Sequence, residues 1–331
     1  MTGPAVDPVL LAARTAAGRG AWGDVRVALE GDQLGAMNDG SRAMLLGEAC
    51  LRTGDPGSAT RWLETAAPLL ARAGNRSSQR SVVNMQGAAA FALGTLDRAA
   101  DRFGAALEMA RVDGDALLTA RATNNLGAID ALRGDADRAI AAYQLAIPAY
   151  QRMGHSLGLA ESWHNLGISY RTRGELNAAD EAERRAIEYA NEAGNVRLAA
   201  MAQVGRAEVS LRRGDFAWAR ATAVRAISVF ASLPDALLHS DALRVQAEAC
   251  DRLGHADEAD GLLSEAIGLA RSHGHRTQLA QALQTQAHIF ARRGALTQAR
   301  SSGVAAREAF SELGSVAAAE EMAAFLAGLA R

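Results

Sequence analysis

The 331-residue chain has no lysine; all 35 of its basic residues are arginine. That excludes a P-loop lysine, a Schiff-base lysine and control by lysine acetylation, and it suggests a GC-rich bacterial genome. Aromatics are only 5% of the chain, so alanine must carry much of the packing. The two cysteines, Cys50 and Cys250, fall in the same slot of a 40-residue pattern, five periods apart. Stacked repeats would separate them by far more than the ~7 Å a disulfide tolerates between Cα atoms, so they read as core thiols in a reducing cytosol. No uncharged run is long enough to span a membrane. The start of the chain lacks a basic stretch, and Asp7 interrupts its short apolar run, so no signal peptide is expected and the chain reads as cytoplasmic. A formal charge of −2 gives no reason to expect nucleic acid or an anionic membrane as partner.

Catalytic constellations are also missing. There is no His-Glu-x-x-His, calcium loop or nucleophile elbow. His273 and His275 flank Gly274, too sparse for a zinc site without further ligands. Gly18-Arg19-Gly20-Ala21-Trp22-Gly23 fits the dinucleotide pattern G-x-G-x-x-G. A helical pattern precedes it and no βαβ unit follows, so it reads as an inter-helix turn with Trp22 packed beneath. Asn75-Arg76-Ser77 is a formal glycosylation sequon that reads as a helix start. No enzyme, metal or cofactor is expected.

What the chain does have is a ruler. Glycine occupies positions 54, 94, 134, 174, 214, 254 and 294, a coincidence with a chance on the order of 10⁻⁷. Alanine follows each by five residues (Ala59 to Ala299), and again by twelve (Ala66 to Ala306). A second column closes each unit with Gly74, Gly114, Gly154, Gly194, Pro234, Gly274 and Gly314. Seven residues before each turn glycine stands a small residue: Gly47, Gly87, Gly127, Gly167, Ala207, Ala247 or Ala287. Glycine takes positive φ at no steric cost and so ends one helix and reverses the chain, while small residues in register let helices approach closely. After the closing column come Asn75, Asp115, His155, Asn195, Asp235, His275 and Ser315; Asn, Asp and Ser are good helix N-caps, histidine a weaker one. Each unit is therefore helix, tight turn, helix, tight turn, and such units must stack to bury their apolar faces. The expectation is one continuous domain of about seventeen helices over 1–331: a degenerate opening unit in 1–39, seven repeats in 40–314 and a C-terminal capping helix in 315–331.

In one unit Trp163, Leu166, Gly167, Tyr170, Gly174, Ala179 and Ala186 follow the order of the tetratricopeptide repeat, which the chain resembles over nearly all its length. The family unit is 34 residues; the 40-residue version here is similar to those of kinesin light chains, Rap-type bacterial peptide receptors and sensor domains of large bacterial transcription activators. The resemblance implies an all-α, right-handed superhelical solenoid of helix-turn-helix repeats. The sequence departs from the pattern at the leucine slot, which holds Gln86, Arg206, Gln246 and Gln286, leaving the rotation of the C-terminal helices open.

In this family the first helix of each unit lines a concave groove, and residues nine and ten before the turn glycine usually face it. Those columns read Met44-Leu45, Asn84-Met85, Asn124-Asn125, His164-Asn165, Val204-Gly205, Arg244-Val245 and Gln284-Thr285. Asn84, Asn124, Asn125, His164 and Asn165 thus form a polar ladder. An amide offers both donor and acceptor, so it can hold an extended peptide backbone, as in similar proteins, or pair with its neighbours and water. Arg212, Arg252 and Arg292, two before their turn glycines, form either a basic stripe suited to carboxylates or ordinary surface pairs with Glu208 and Glu248, four residues earlier. Met44, Leu51, Met85 and Phe91 make the first stretch of groove apolar. The function expected is a non-enzymatic, protein-protein interaction scaffold that binds a peptide or extended segment. The alternative is a regulatory sensor or receptor for a signalling peptide or small molecule, acting by rearrangement of the superhelix. The terminal helix, rich in alanine with Val316, Met322, Phe325, Leu326 and Leu329, offers a face for a homodimer.

Overall fold

The computed structural model describes residues 7–232 and 236–329, which form helices and turns and contain no strand. The opening segment holds α1 (Pro8–Gly18), α2 (Trp22–Glu30) and α3 (Gln33–Asn38). Helix pairs follow: α4 (Gly40–Arg52) with α5 (Pro56–Arg72), α6 (Arg76–Ala92) with α7 (Leu96–Val112), α8 (Ala116–Leu132) with α9 (Ala136–Arg152), and α10 (Ser156–Thr172) with α11 (Leu176–Glu192). Then come α12 (Val196–Arg213) with α13 (Phe216–Ala231), α14 (Ala236–Arg252) with α15 (Ala256–Ser272), α16 (Arg276–Arg292) with α17 (Leu296–Glu312), and the closing α18 (Val316–Gly328). The fold is an all-α array of helix-turn-helix repeats on the 40-residue register. It divides into two compact units, Met1–Gly154 and His155–Arg331, at the end of a repeat.

The turns form for the reason the glycine column implies. Gly134 has φ +84°, a left-handed conformation that costs other residues a steric clash. Its N–H bonds to the Ala131 carbonyl (3.1 Å), and Asp135 N–H reaches back to the Asp130 carbonyl (2.9 Å), closing the free end of α8. Asp135 then caps α9 by accepting from Arg138 N–H at 3.1 Å. Asn75, Asp115 and Asn195 cap the next helices in the same way. His155 does so too, accepting from Gly158 N–H through Nδ1 at 2.9 Å, whereas His275 and Ser315 make no side-chain cap bond. Pro234 and Asp235 of these columns lie outside the described residues, as does Arg331.

The short α3 was not expected from the sequence. It is held by Asp32, which accepts from Gly35 N–H, and by Ala36, which is fully buried. Gly18 to Gly23 is an inter-helix turn, with Trp22 half-buried and the Arg52 guanidinium 5.5 Å from its ring. Polar residues in the leucine slot bond to helix backbones and side chains beside them. Gln86 donates to the Leu63 carbonyl, Gln246 to Glu258, and Gln286 accepts from Ser302 at 2.8 Å. Arg206 pairs with Asp180 at 2.7 Å and lies over Trp218. In the C-terminal helices Gly214, Gly254 and Gly294 keep positive φ, and the small-residue column stays fully buried at Ala207, Ala247 and Ala287.

Cys50 and Cys250 are buried free thiols. Among the described residues no helix is long and apolar enough to cross a membrane. On α18, Met322 and Leu326 are buried and Phe325 packs edge-on against His288, with ring centroids 4.7 Å apart. The face left to solvent carries Val316, 66% exposed, and Ala323, Ala324 and Ala327.

Candidate functional site

In the first unit the amide ladder is partly turned on itself. Asn84 on α6 and Asn124 on α8 are buried, and Asn125 donates to the Asn84 side-chain oxygen at 3.4 Å. The tenth-before column of one repeat thus meets the ninth-before column of the next. Met44, Leu51, Met85 and Phe91 are half-buried, packed against the core clusters beneath them. In the second unit, His164 on α10 is buried and Asn165 half-buried.

The residue that organises the second unit is one the groove columns miss. Sixteen residues after each small residue of the Gly47 column stands a core side chain from the second helix. Leu63 lies 2.8 Å from where a Gly47 Cβ would be, Phe103 2.6 Å from that of Gly87, and Tyr143 2.9 Å from that of Gly127. The fourth member of this column is Glu183, on α11, and it is fully buried. Its carboxylate is wedged between two glycines: a Cβ on Gly167 would lie 2.9 Å from the carboxyl carbon, and one on Gly205 2.6 Å. Burial pushes the Glu183 carboxyl above its ordinary value, against the pull of His164 and Arg171. The sequence signal was present: the column reads Leu63, Phe103, Tyr143, Glu183, Ala223, Leu263, Gly303, with one charge among core residues.

Glu183 begins a chain of charges across neighbouring repeats. Its Oε2 bonds His164 Nδ1 at 2.8 Å, and its Oε1 faces Arg171 Nη1 at 3.9 Å, with neither of these two atoms hydrogen-bonded. The other Arg171 nitrogen, Nη2, reaches Glu208 on α12 at 2.6 Å. Glu208 also accepts from Arg244 on α14, which holds Asp241 at 2.7 Å. Burial alone would raise the Glu208 carboxyl; Arg171 and Arg244 outweigh it and bring it down to about 2.

Above this chain opens a cavity of about 680 Å³. It is lined from four first helices: Ile168, Arg171 and Thr172 on α10; Glu208, Leu211 and Arg212 on α12; Arg244, Glu248 and Arg252 on α14; Gln281, Gln284 and Thr285 on α16. Of the three arginines of the stripe, Arg212 and Arg252 line it. Arg212 is not paired with Glu208 along its own helix; it donates to the Arg171 carbonyl of the preceding repeat at 2.6 Å. Arg252 is not paired with Glu248; its guanidinium lies 4.2 Å over the Phe216 ring. Arg292 is held by Asp251 at 2.9 Å, with Glu248 at 3.9 Å, and does not line the cavity. His273 and His275 stack at 5.8 Å, and no metal-binding group of His, Cys, Asp or Glu occurs among the described residues.

A family profile for the tetratricopeptide repeat matches residues 79–152 and 118–192. Residues 79–192 thus carry tetratricopeptide repeats. Among solved structures, the apo form of RapI is similar at TM-score 0.66 and 15% identity, over 93% of this chain and 86% of that one. NprR in complex with its cognate peptide NprX is similar at 0.64 and 14% identity, over 88% and 86%. The Rap conjugation gene regulator of plasmid pLS20, in complex with the Phr* peptide, is similar at 0.68 and 14% identity, over 84% and 75%. At such identities the likeness is one of fold. No curated protein is similar enough in sequence to count as a match.

Proposed function

We propose that this tetratricopeptide-repeat chain is a non-enzymatic binding protein that holds a peptide or extended protein segment in the groove of its first helices. The carrying observation is the cavity of about 680 Å³ built from α10, α12, α14 and α16. Its walls present the hydroxyls of Thr172 and Thr285 and the amides of Gln281 and Gln284, groups able to pair with backbone N–H and C=O. Two proteins of similar fold, NprR and the pLS20 Rap regulator, hold peptides, which supports the reading by analogy of fold. Asn84, Asn124, Asn125, His164 and Asn165 belong to the same groove columns, with Asn125 and Asn165 the more accessible. Selection of displayed random decapeptides on the full chain tests the proposal, followed by photocrosslinking from Thr172 or Gln284 and from Val224, which is exposed on the second-helix face. Crosslinks from the first pair are expected. Crosslinks from Val224 alone, or selection of no peptide, would overturn it.

The sensor reading differs in one observable: a bound peptide would change the dimensions of the array, read by small-angle scattering. Self-association through α18 would rest on Val316 and the exposed alanines beside it. A sedimentation coefficient independent of concentration, and unchanged by Val316→Glu, would remove it.

A further inference from the structure

Two guanidiniums on the groove are left over once the internal pairs are assigned. Arg171 and Arg244 share Glu208, and Arg244 also holds Asp241. Arg213 turns away to Asn177 at 2.7 Å and Asp180 at 3.6 Å. Glu248 has Arg292 at 3.9 Å. Arg212 and Arg252 pair with no carboxylate among the described residues, yet both are held in place. The Arg171 carbonyl fixes one N–H of Arg212, and the Arg252 guanidinium, on an exposed side chain, lies 4.2 Å over the Phe216 ring. A planar guanidinium with a free edge is the group that accepts a carboxylate through two parallel hydrogen bonds. The cavity wall carries Arg171, Arg212, Arg244 and Arg252 against Glu208 and Glu248, so its surplus charge is positive although the chain as a whole is slightly acidic.

Resting on the peptide-groove reading, we infer that this pocket selects an acidic segment: an extended peptide that presents carboxylates, from Asp or Glu side chains or from its own C-terminus, to Arg212 and Arg252. Glu208 cannot substitute for the ligand, because Arg171 and Arg244 already hold it. A basic segment would meet like charge, which disfavours it by repulsion. Gln281 and Gln284, on the neighbouring helix, lie where the backbone beside those carboxylates would run.

The test is selection of displayed random decapeptides on the full wild-type chain and on an Arg212→Gln, Arg252→Gln variant. Both substituted side chains are exposed, and circular dichroism melts verify that the variant is folded. The expected outcome is enrichment of Asp and Glu over Lys and Arg on the wild type, lost on the variant. Selected peptides, resynthesised with free or amidated C-termini, should bind the variant at least tenfold more weakly by fluorescence anisotropy. The amidated forms separate the two carboxylate sources: unchanged binding assigns side chains, and a loss assigns the terminus. Neutral or basic peptides selected at the groove, or equal acidic enrichment on the variant, overturn the acidic preference while leaving the peptide groove intact. Selection of no peptide overturns both.

Discussion

Replacing Gly205 with alanine tests whether the Glu183 carboxylate owns the space beside α12. In an ordinary helix this exchange stabilises, because alanine exceeds glycine in helix propensity by about 1 kcal/mol. Here the new methyl would sit 2.6 Å from the Glu183 carboxyl carbon and nearer still to Oε1. The neighbours leave the carboxylate nowhere to retreat, since Gly167 confines it on the other side. Either it stays, at an overpacking cost of about 1–3 kcal/mol, or it swings out and gives up its bond to the buried His164, leaving a buried polar group unpaired at about 1–3 kcal/mol. Both penalties are expected in part, so the net loss is about 2 kcal/mol after the helix gain. Urea unfolding followed by circular dichroism measures it. The decisive comparison is the same substitution on a Glu183→Ala background, where the obstruction is gone and Gly205→Ala should stabilise by about 0.5–1 kcal/mol. An equal loss on both backgrounds would refute the reasoning and assign the cost to some other feature of α12.

Gly134→Val should lower stability by about 2 kcal/mol in the same urea assay, because φ +84° is a conformation that a β-branched residue adopts only with strain. The buried Glu183 and the half-buried Glu208 should act on stability with opposite signs of pH dependence. Glu208, depressed to about 2 from its ordinary 4.5, contributes stability that is present above pH 4.5 and lost as pH falls toward 2. Glu183, raised, contributes stability that is full below pH 4.5 and lost as pH rises through its folded value; Glu183→Gln should flatten that second limb, measured as urea midpoints across pH. For a selected peptide, calorimetry on an Asn165→Ala variant should show binding weaker by about 1 kcal/mol or more, since the lost amide leaves a polar group of the partner unpaired.

The fold was legible because its turns depend on one residue type at one spacing. Glycine at positive φ has no easy substitute, so the column from Gly54 to Gly294 marks every first-helix end. The boundaries of α3 were not legible: six residues outside the period leave no repeat against which to compare them. The arginine stripe was half legible. Its members could be placed on one helix face, but their partners lie one repeat away, about 41 residues distant in sequence, where spacing within a helix says nothing. Glu208 and Arg212 are well placed for a pair along α12, yet Arg171 and Arg244 from flanking repeats take the carboxylate instead. Glu183 was legible in principle, but the alanine columns that mark the second helices do not include its position. A charge in a column otherwise filled by Leu63, Phe103 and Tyr143 announces a site where burial has been accepted for another purpose.

The wedge of Glu183 between two glycines also bears on how the gene can change. Arrays of similar segments are prone to unequal recombination, and losing one 40-residue segment keeps both the reading frame and the glycine register. At the other junctions the residue in this register already carries a side chain: Met85, Asn125, Asn165, Val245 or Thr285. Excision of 195–234 would not be compatible, because it would bring Val245 to the place of Gly205, against a carboxylate that has no room for a branched side chain. The repeats 155–194 and 195–234 are therefore inherited as a matched couple, and the order of the array is fixed at that seam by one acid and the absence of one methyl group.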